Sequence, residues 1–387
     1  MKARLKGLSK AAVLYISALA WAPAFLLPYD VPSSMQRFGL SEEHAGWLAS
    51  CVLLLVALSA MIVGRRVGTL DKRRYSLVSC AVGLLAITGV AVFNDFYIVS
   101  VLKGILGIAL GVLIACTYAV MSMDDHPEKV FAELTLTMAI LYGAVMFSIP
   151  FVTERVGVKG TELVEIAMFA IGVLIAFWMP VAKISDAAEA AIERGISRST
   201  TICEIWILVS IFATFVMQTA AMSFAELAGQ TRGIDAHELG TILMIQALLQ
   251  FPAGILARSL GDRAGFYKPI YAALFVLFLV SIGMYCQHNR SLFIVATCLV
   301  NAAATVAFPF SLGLLANLDE SGRSSAMAGS VSNIGLALGP AAGGFALAFG
   351  GLQGVGWMSA GVIVLGIIAI TLASRKTVSG QVRAEAI

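Results

Sequence analysis

The chain has 387 residues, of which 59% are hydrophobic and 13% charged, and its formal net charge is +3. A soluble domain carries roughly 45–50% apolar and about 25% charged residues, so a water-exposed surface of this composition is excluded and the bilayer becomes the natural solvent. The few basic residues form no patch of the kind that grips nucleic acid.

Twelve apolar stretches of helix length are predicted, at 11–28, 44–64, 75–93, 96–121, 131–152, 164–182, 205–225, 239–258, 268–286, 291–316, 326–349 and 354–374. The first follows Lys2, Arg4, Lys6 and Lys10 and contains Ala18-Leu19-Ala20, as a secretory signal would. Its apolar run continues to Pro28, however, which is long enough to span, and it has a counterpart near 205–225. The second helix opens at Gly39-Leu40-Ser41 followed by Gly46, and the eighth at Gly233-Ile234-Asp235 followed by Gly240, both at an offset of 194. Ser41 with His44 and Asp235 with Glu238 stand at N-cap and N3 spacing, the second pair as a capping box. Two six-helix halves in parallel are therefore expected, 1–182 and 205–387, joined by a linker over 183–204 in which Ser185-Asp186-Ala187-Ala188-Glu189 reads as a short helix. A parallel repeat of this kind points to a transporter with its site between the halves.

With the N-terminus in the cytoplasm, cytoplasmic segments hold 20 of the 26 Lys and Arg residues and the opposite side holds 5. That asymmetry places both termini inside, in a cell membrane and by expectation a bacterial inner membrane. The six cysteines are scattered through apolar runs, and the four histidines lie near predicted helix ends. Neither set has metal-ligand spacing, and no metal or other cofactor is expected. No clustered nucleophile, metal set or phosphate loop supports an enzyme.

After helices 2 and 8 the sequence resembles the major facilitator superfamily, which carries Gly-x-x-x-Asp-Arg-x-Gly-Arg-Arg between helices 2 and 3 and a weaker copy between helices 8 and 9. Here the stronger copy is the second, Gly261-Asp262-Arg263-Ala264-Gly265, while the first runs from Gly64 through Arg65 and Arg66 to Asp71, Lys72, Arg73 and Arg74. Lys103-Gly104-Ile105-Leu106-Gly107 in helix 4 is similar to a family stretch with Arg at the Lys103 position, and Gly339-Pro340 in helix 11 is similar to the family's glycine-proline motif. The resemblance implies an all-α integral membrane protein of twelve helices in two pseudo-symmetric six-helix bundles. It also implies a cytoplasmic gate at Asp71, Arg73, Asp262 and Arg263, and a hinge at Gly339 and Pro340.

Lys103 lies roughly 10 Å into the bilayer at 1.5 Å per residue, where an ammonium costs about 2.5–3.5 kcal/mol at the helix centre and less toward the interface. Such a charge faces a cavity or a partner, or snorkels to the headgroups. The polar residues expected to join it on the translocation path are Tyr118 and Tyr142 in the first half and Gln218, Gln246, Gln250, Asn301 and Asn333 in the second. Asp30 and Glu226, at matching ends of helices 1 and 7, are the candidates for coupling to protons. The expected function is secondary active transport of a small organic solute, an anion on the strength of Lys103, by a monomer embedded in lipid and driven by protons. The alternative is an efflux pump, a proton antiporter for amphiphilic or drug-like compounds.

Overall fold

The structure is a computed structural model that describes residues 7–64, 67, 70–124, 127–181, 201–260, 265–318 and 323–384, and these are almost wholly helical. In chain order the first half contains α1 (Gly7–Leu19), α2 (Ala22–Phe25), α3 (Leu27–Phe38), α4 (Glu42–Gly64), α5 (Lys72–Val92), α6 (Phe96–Met121), α7 (Pro127–Val156) and α8 (Gly160–Ala176). The second half contains α9 (Ile202–Ser223), α10 (Ala225–Gln230), α11 (Ala236–Leu260), α12 (Tyr267–Tyr285), α13 (Arg290–Leu318) and α14 (Arg323–Ala384). The expected linker lies mostly outside the described residues, as do Asp262 and Arg263.

Among the described residues nine helical stretches are long and apolar enough to cross a membrane, and two of them, 48 and 49 residues long, each reverse once. One reversal follows Gly157, at φ 76°; the other is at Gly351, at φ 59° and ψ −159°. Glycine is needed at both because a Cβ disfavours left-handed backbone. With the first run, α1 to α3, this is consistent with twelve crossings. Here "near face" denotes the side at which α1 begins, and "far face" the side at which α4 begins.

The first run differs from expectation. Instead of ending at Pro28, it continues to Phe38 and stops at Gly39, whose φ of 61° is left-handed. Pro23 and Pro28 are the second residues of α2 and α3, in the first turn, where the missing N–H has no intrahelical partner to lose. The prolines thus break and restart the run without ending it. Gly233 answers Gly39 with a φ of 69°. At the following helix the Asp235 carboxylate caps the Glu238 N–H at 2.8 Å, but the Glu238 side chain pairs with Arg290 at 2.6 Å instead of closing a reciprocal box.

The two halves meet along two seams on the far side. In one, α4 packs on α14: a Cβ on Gly46 would collide with the Pro340 carbonyl, and one on Gly344 would stand 2.5 Å from the Glu42 carbonyl oxygen. The Ala341 N–H donates to Ser50 Oγ at 2.8 Å across this seam. In the other, α7 packs on α11, and a Cβ on Gly240 would stand 2.9 Å from the Met146 carbonyl and from Pro150. Each half thus presents a glycine to the proline-bearing helix of the other. His237 and Glu154 add an exposed pair at 3.3 Å beside the second seam.

Within the first bundle α5 and α8 approach closely where Gly83 lies under the buried Phe169 ring. Gly83→Ala forces its Cβ into that ring, an overpacking worth about 1–3 kcal/mol. Gly254→Ala, with nothing within 4 Å of the added atom, is expected to leave stability unchanged or slightly raised. Thermal unfolding in detergent should therefore show a clear drop for the first variant and none for the second.

Candidate functional site

Three successive positions on one face of α3 organise the far half of the first bundle. Asp30, Ser34 and Arg37 are spaced four and then three residues apart, so their side chains point the same way. The Lys103 ammonium, on α6, donates to Asp30 Oδ1 at 2.5 Å and to Ser34 Oγ at 3.1 Å. Its side chain is 7% exposed against 28% for Asp30, so the carboxylate is the more accessible member of the pair. One turn further, Arg37 pairs with Glu162 of α8 at 3.0 Å, both side chains nearly sealed. Arg37 also donates to the Val90 and Phe93 carbonyls that end α5.

The anionic cargo expected above rested on a Lys103 charge left for the substrate. In this conformation a carboxylate already neutralises that charge inside the first bundle, so that ground is removed.

A small cavity lies between the halves, beneath the seams. Trp21, Pro23 and Ala24 of the first run, Leu53 of α4 and Ile114 of α6 line it from one side, and Asn333 and Leu336 of α14 from the other. Its wall is apolar but for the Asn333 amide and the Trp21 indole. The indole N–H donates to the Tyr118 hydroxyl at 3.2 Å, which fixes the ring's orientation.

Of the polar residues expected on the path, Asn333 alone lines this cavity. Tyr142 is fully buried, donates to the Ala18 carbonyl at 2.7 Å and stacks on Phe25 at 4.2 Å, tying α7 to the first run. Gln218 donates to Asn301 at 2.8 Å, joining α9 to α13 within the second bundle. Gln246 reaches Met222 Sδ at 3.0 Å, and Gln250 turns back to the Ala247 carbonyl of its own helix. The Asp71 carboxylate caps α5 by accepting the Arg74 N–H at 3.2 Å, and Arg73 sits half-buried on that helix's first turn. Gly339 packs on Thr219 and Val216 of α9, while α14 passes Pro340 with helical dihedrals and departs from them at Gly351. Sequence reasoning missed Trp21, Pro23 and Arg37. A tryptophan beside a proline in mid-span, and an arginine seven residues beyond an acid, were the available signals.

The Major Facilitator Superfamily family model matches residues 206–386. That match covers the second half of the chain, and the resemblance of the first half rests on the motifs named above. No curated protein sequence matches the chain. Its fold is shared with a crystallised variant of the nucleoside transporter NupG, at 12% identity and a TM-score of 0.77 over 95% of this chain and 100% of that one. It is shared also with a bacterial homologue of the human lysosomal transporter Spinster, at 14% and 0.68 over 95% and 96% of the two chains. A D-xylose–proton symporter follows at 16% and 0.68 over 92% and 96%.

The charge cluster of the first bundle and the acid of α10 each set a pH dependence of stability. Lys103→Gln leaves three carboxyl groups, Asp30, Glu162 and Glu165, facing Arg37 alone. It should cost about 3–5 kcal/mol at neutral pH. That loss should shrink as acidification protonates the surplus, which thermal midpoints across pH would show. Glu226 of α10 lies where the first run meets the second half, and accepts a bond from Gln230 at 3.2 Å. Burial raises its carboxyl from the ordinary 4.5 to about 7, with the Gln230 bond opposing. An acid raised in the fold favours folding while protonated, so its stabilisation is full below about 4.5 and lost as pH rises to about 7. Glu226→Gln should flatten that part of the stability–pH curve.

Proposed function

We propose that this chain moves a small, largely apolar organic solute across the membrane by alternating access, coupled to protons at Asp30. The bodies that rock are the bundles of 1–182 and 205–387, linked by 183–204, with both termini in the cytoplasm and the near face therefore cytoplasmic. The single observation that carries the substrate class is the cavity wall, where two halves contribute apolar side chains and one amide but no fixed charge. A site of that chemistry holds a solute by area burial and orients it by the Asn333 amide and Trp21 ring. Among the described residues the seams above the cavity consist of van der Waals contact, one backbone-to-serine hydrogen bond and the exposed His237–Glu154 pair, so they can part at modest cost.

Asp30 supplies the coupling. It is the more exposed member of a pair whose other member is sealed, so a proton from water reaches the carboxylate first. Protonation removes the counter-ion of Lys103, and a buried ammonium without one is costly. Proton binding thus strains the conformation that buries the lysine and favours one that hydrates or re-pairs it. That links the proton to the bundle movement.

A thermal-stability screen of the purified transporter in detergent, against lipophilic cations, neutral amphiphiles, sugars and organic acids, tests the cargo. A ligand that binds only the folded state at a hundredfold excess over Kd stabilises by about 2.7 kcal/mol. Stabilisation by amphiphilic compounds, lost in Trp21→Ala and kept in Lys103→Gln, is expected. Stabilisation confined to organic acids and abolished in Lys103→Gln would restore the anion reading. With a ligand in hand, flux driven by a pH gradient in proteoliposomes should vanish in Asp30→Asn.

A further inference from the structure

We infer that Glu165 is a second proton-binding site, a neutral carboxylic acid held beside the Asp30–Lys103 pair and ready to replace Asp30 as the counter-ion of Lys103. The inference rests on the proton coupling proposed above. Its starting point is a count of charges in one buried cluster. Asp30, Glu162 and Glu165 supply three carboxyl groups, and Lys103 and Arg37 supply two cations. Fully ionised, the cluster would hold a net negative charge in a low-dielectric interior, which a single bound proton cancels.

Geometry assigns that proton to one residue. Asp30 is engaged by Lys103 at 2.5 Å and Glu162 by Arg37 at 3.0 Å. Glu162 also stands in the first turn of α8, where the helix N-terminus favours an anion. Glu165 is 9% exposed, lies one turn deeper on the same helix face, and has neither an ion pair nor a hydrogen bond among the described residues. It remains within electrostatic reach of Asp30, Lys103 and Glu162.

The other titratable groups around α8 cannot take the role. Tyr15 of α1 donates to the Met168 carbonyl at 2.9 Å, Tyr29 of α3 to the Met146 carbonyl at 3.1 Å, and Tyr142 of α7 to the Ala18 carbonyl. Cys80 of α5 is a buried thiol, and Lys159 on the turn before α8 is a further cation, not an acid. The step this arrangement permits is balanced. An O–H bond forms on Asp30, the O–H bond of Glu165 breaks, Lys103 keeps its proton, and the charge of the cluster does not change. Lys103 then pairs with Glu165, on α8, in place of Asp30, on the first run. The buried ammonium is never left alone, and its attachment moves from the run whose earlier residues line the cavity to a helix that does not line it.

Infrared spectroscopy of the full-length transporter in detergent at neutral pH tests this without any substrate. The Glu226→Gln background removes the glutamate of α10, whose carboxyl burial raises. A carboxylic-acid C=O band is expected there, shifted by carboxyl-13C glutamate and lost in Glu165→Gln. If that variant does not fold, Glu165→Asp should move the band to the aspartate label. A missing band, a band indifferent to the glutamate label, or one that survives removal of Glu165 would overturn the inference. Because the spectrum needs no flux, a band that behaves as expected alongside transport insensitive to a pH gradient would instead sink the coupling reading alone.

Discussion

An ammonium carried into hydrocarbon must find a counter-charge, and much of the first bundle is arranged around meeting that demand at Lys103. The residue stands seven positions into α6, too deep for its stem to leave the charge in water without cost. Its partner comes from a helix that the prolines of the first run break and restart. Had the run ended at Pro28, Asp30 would lie in a loop at the membrane surface. Because α3 continues for another three turns, Asp30, Ser34 and Arg37 descend along one face and meet Lys103 and Glu162 from the side. The price of burying charge is met by pairing, and the pairing fixes how α3, α6 and α8 stand relative to one another.

The duplicated sequence leaves a second imprint at the seams. Gly46 and Gly240 occupy equivalent positions in the two halves, and so do Pro150 and Pro340, at offsets of 194 and 190. Each glycine faces the proline segment of the opposite half. One ancestral device used twice gives two seams of similar shape, so the halves close against each other symmetrically. Below the seams the contacts give way to the apolar cavity, where two halves share a wall but contribute almost no polar groups. Charge is kept within one bundle and apolar surface is kept between the two. A moving interface benefits from that division, since parting apolar surfaces around a solute does not strand a buried ion.

Much of this was legible in the sequence, for reasons that can be named. Helix periodicity and apolar length give spans because backbone groups in lipid must be satisfied within the helix. The repeat at Gly39 and Gly233 is legible because a left-handed residue admits little besides glycine. The polar residues were less legible. Gln218 and Asn301, or Tyr142 and Ala18, bond to each other within a bundle, and a sequence shows only that each needs a partner in lipid. Asn333 and Gln250 look alike as lone amides in apolar helices, yet one lines the cavity and the other bonds to its own backbone.

The sequence by itself determined the solvent, an all-helical chain consistent with twelve spans, the recurrence of Gly39 and Gly46 as Gly233 and Gly240, and the presence of a lysine and several acids where charge is costly. These are properties of composition and local spacing, which act over a few turns of one helix. Only the tertiary structure decided that Lys103 belongs to Asp30, that Glu165 has no ion pair or hydrogen bond among the described residues, and that the cavity wall is apolar. Each of those depends on residues dozens of positions apart arriving on facing surfaces, and helix rotation about its axis, set by packing against several neighbours at once, is what brings them there.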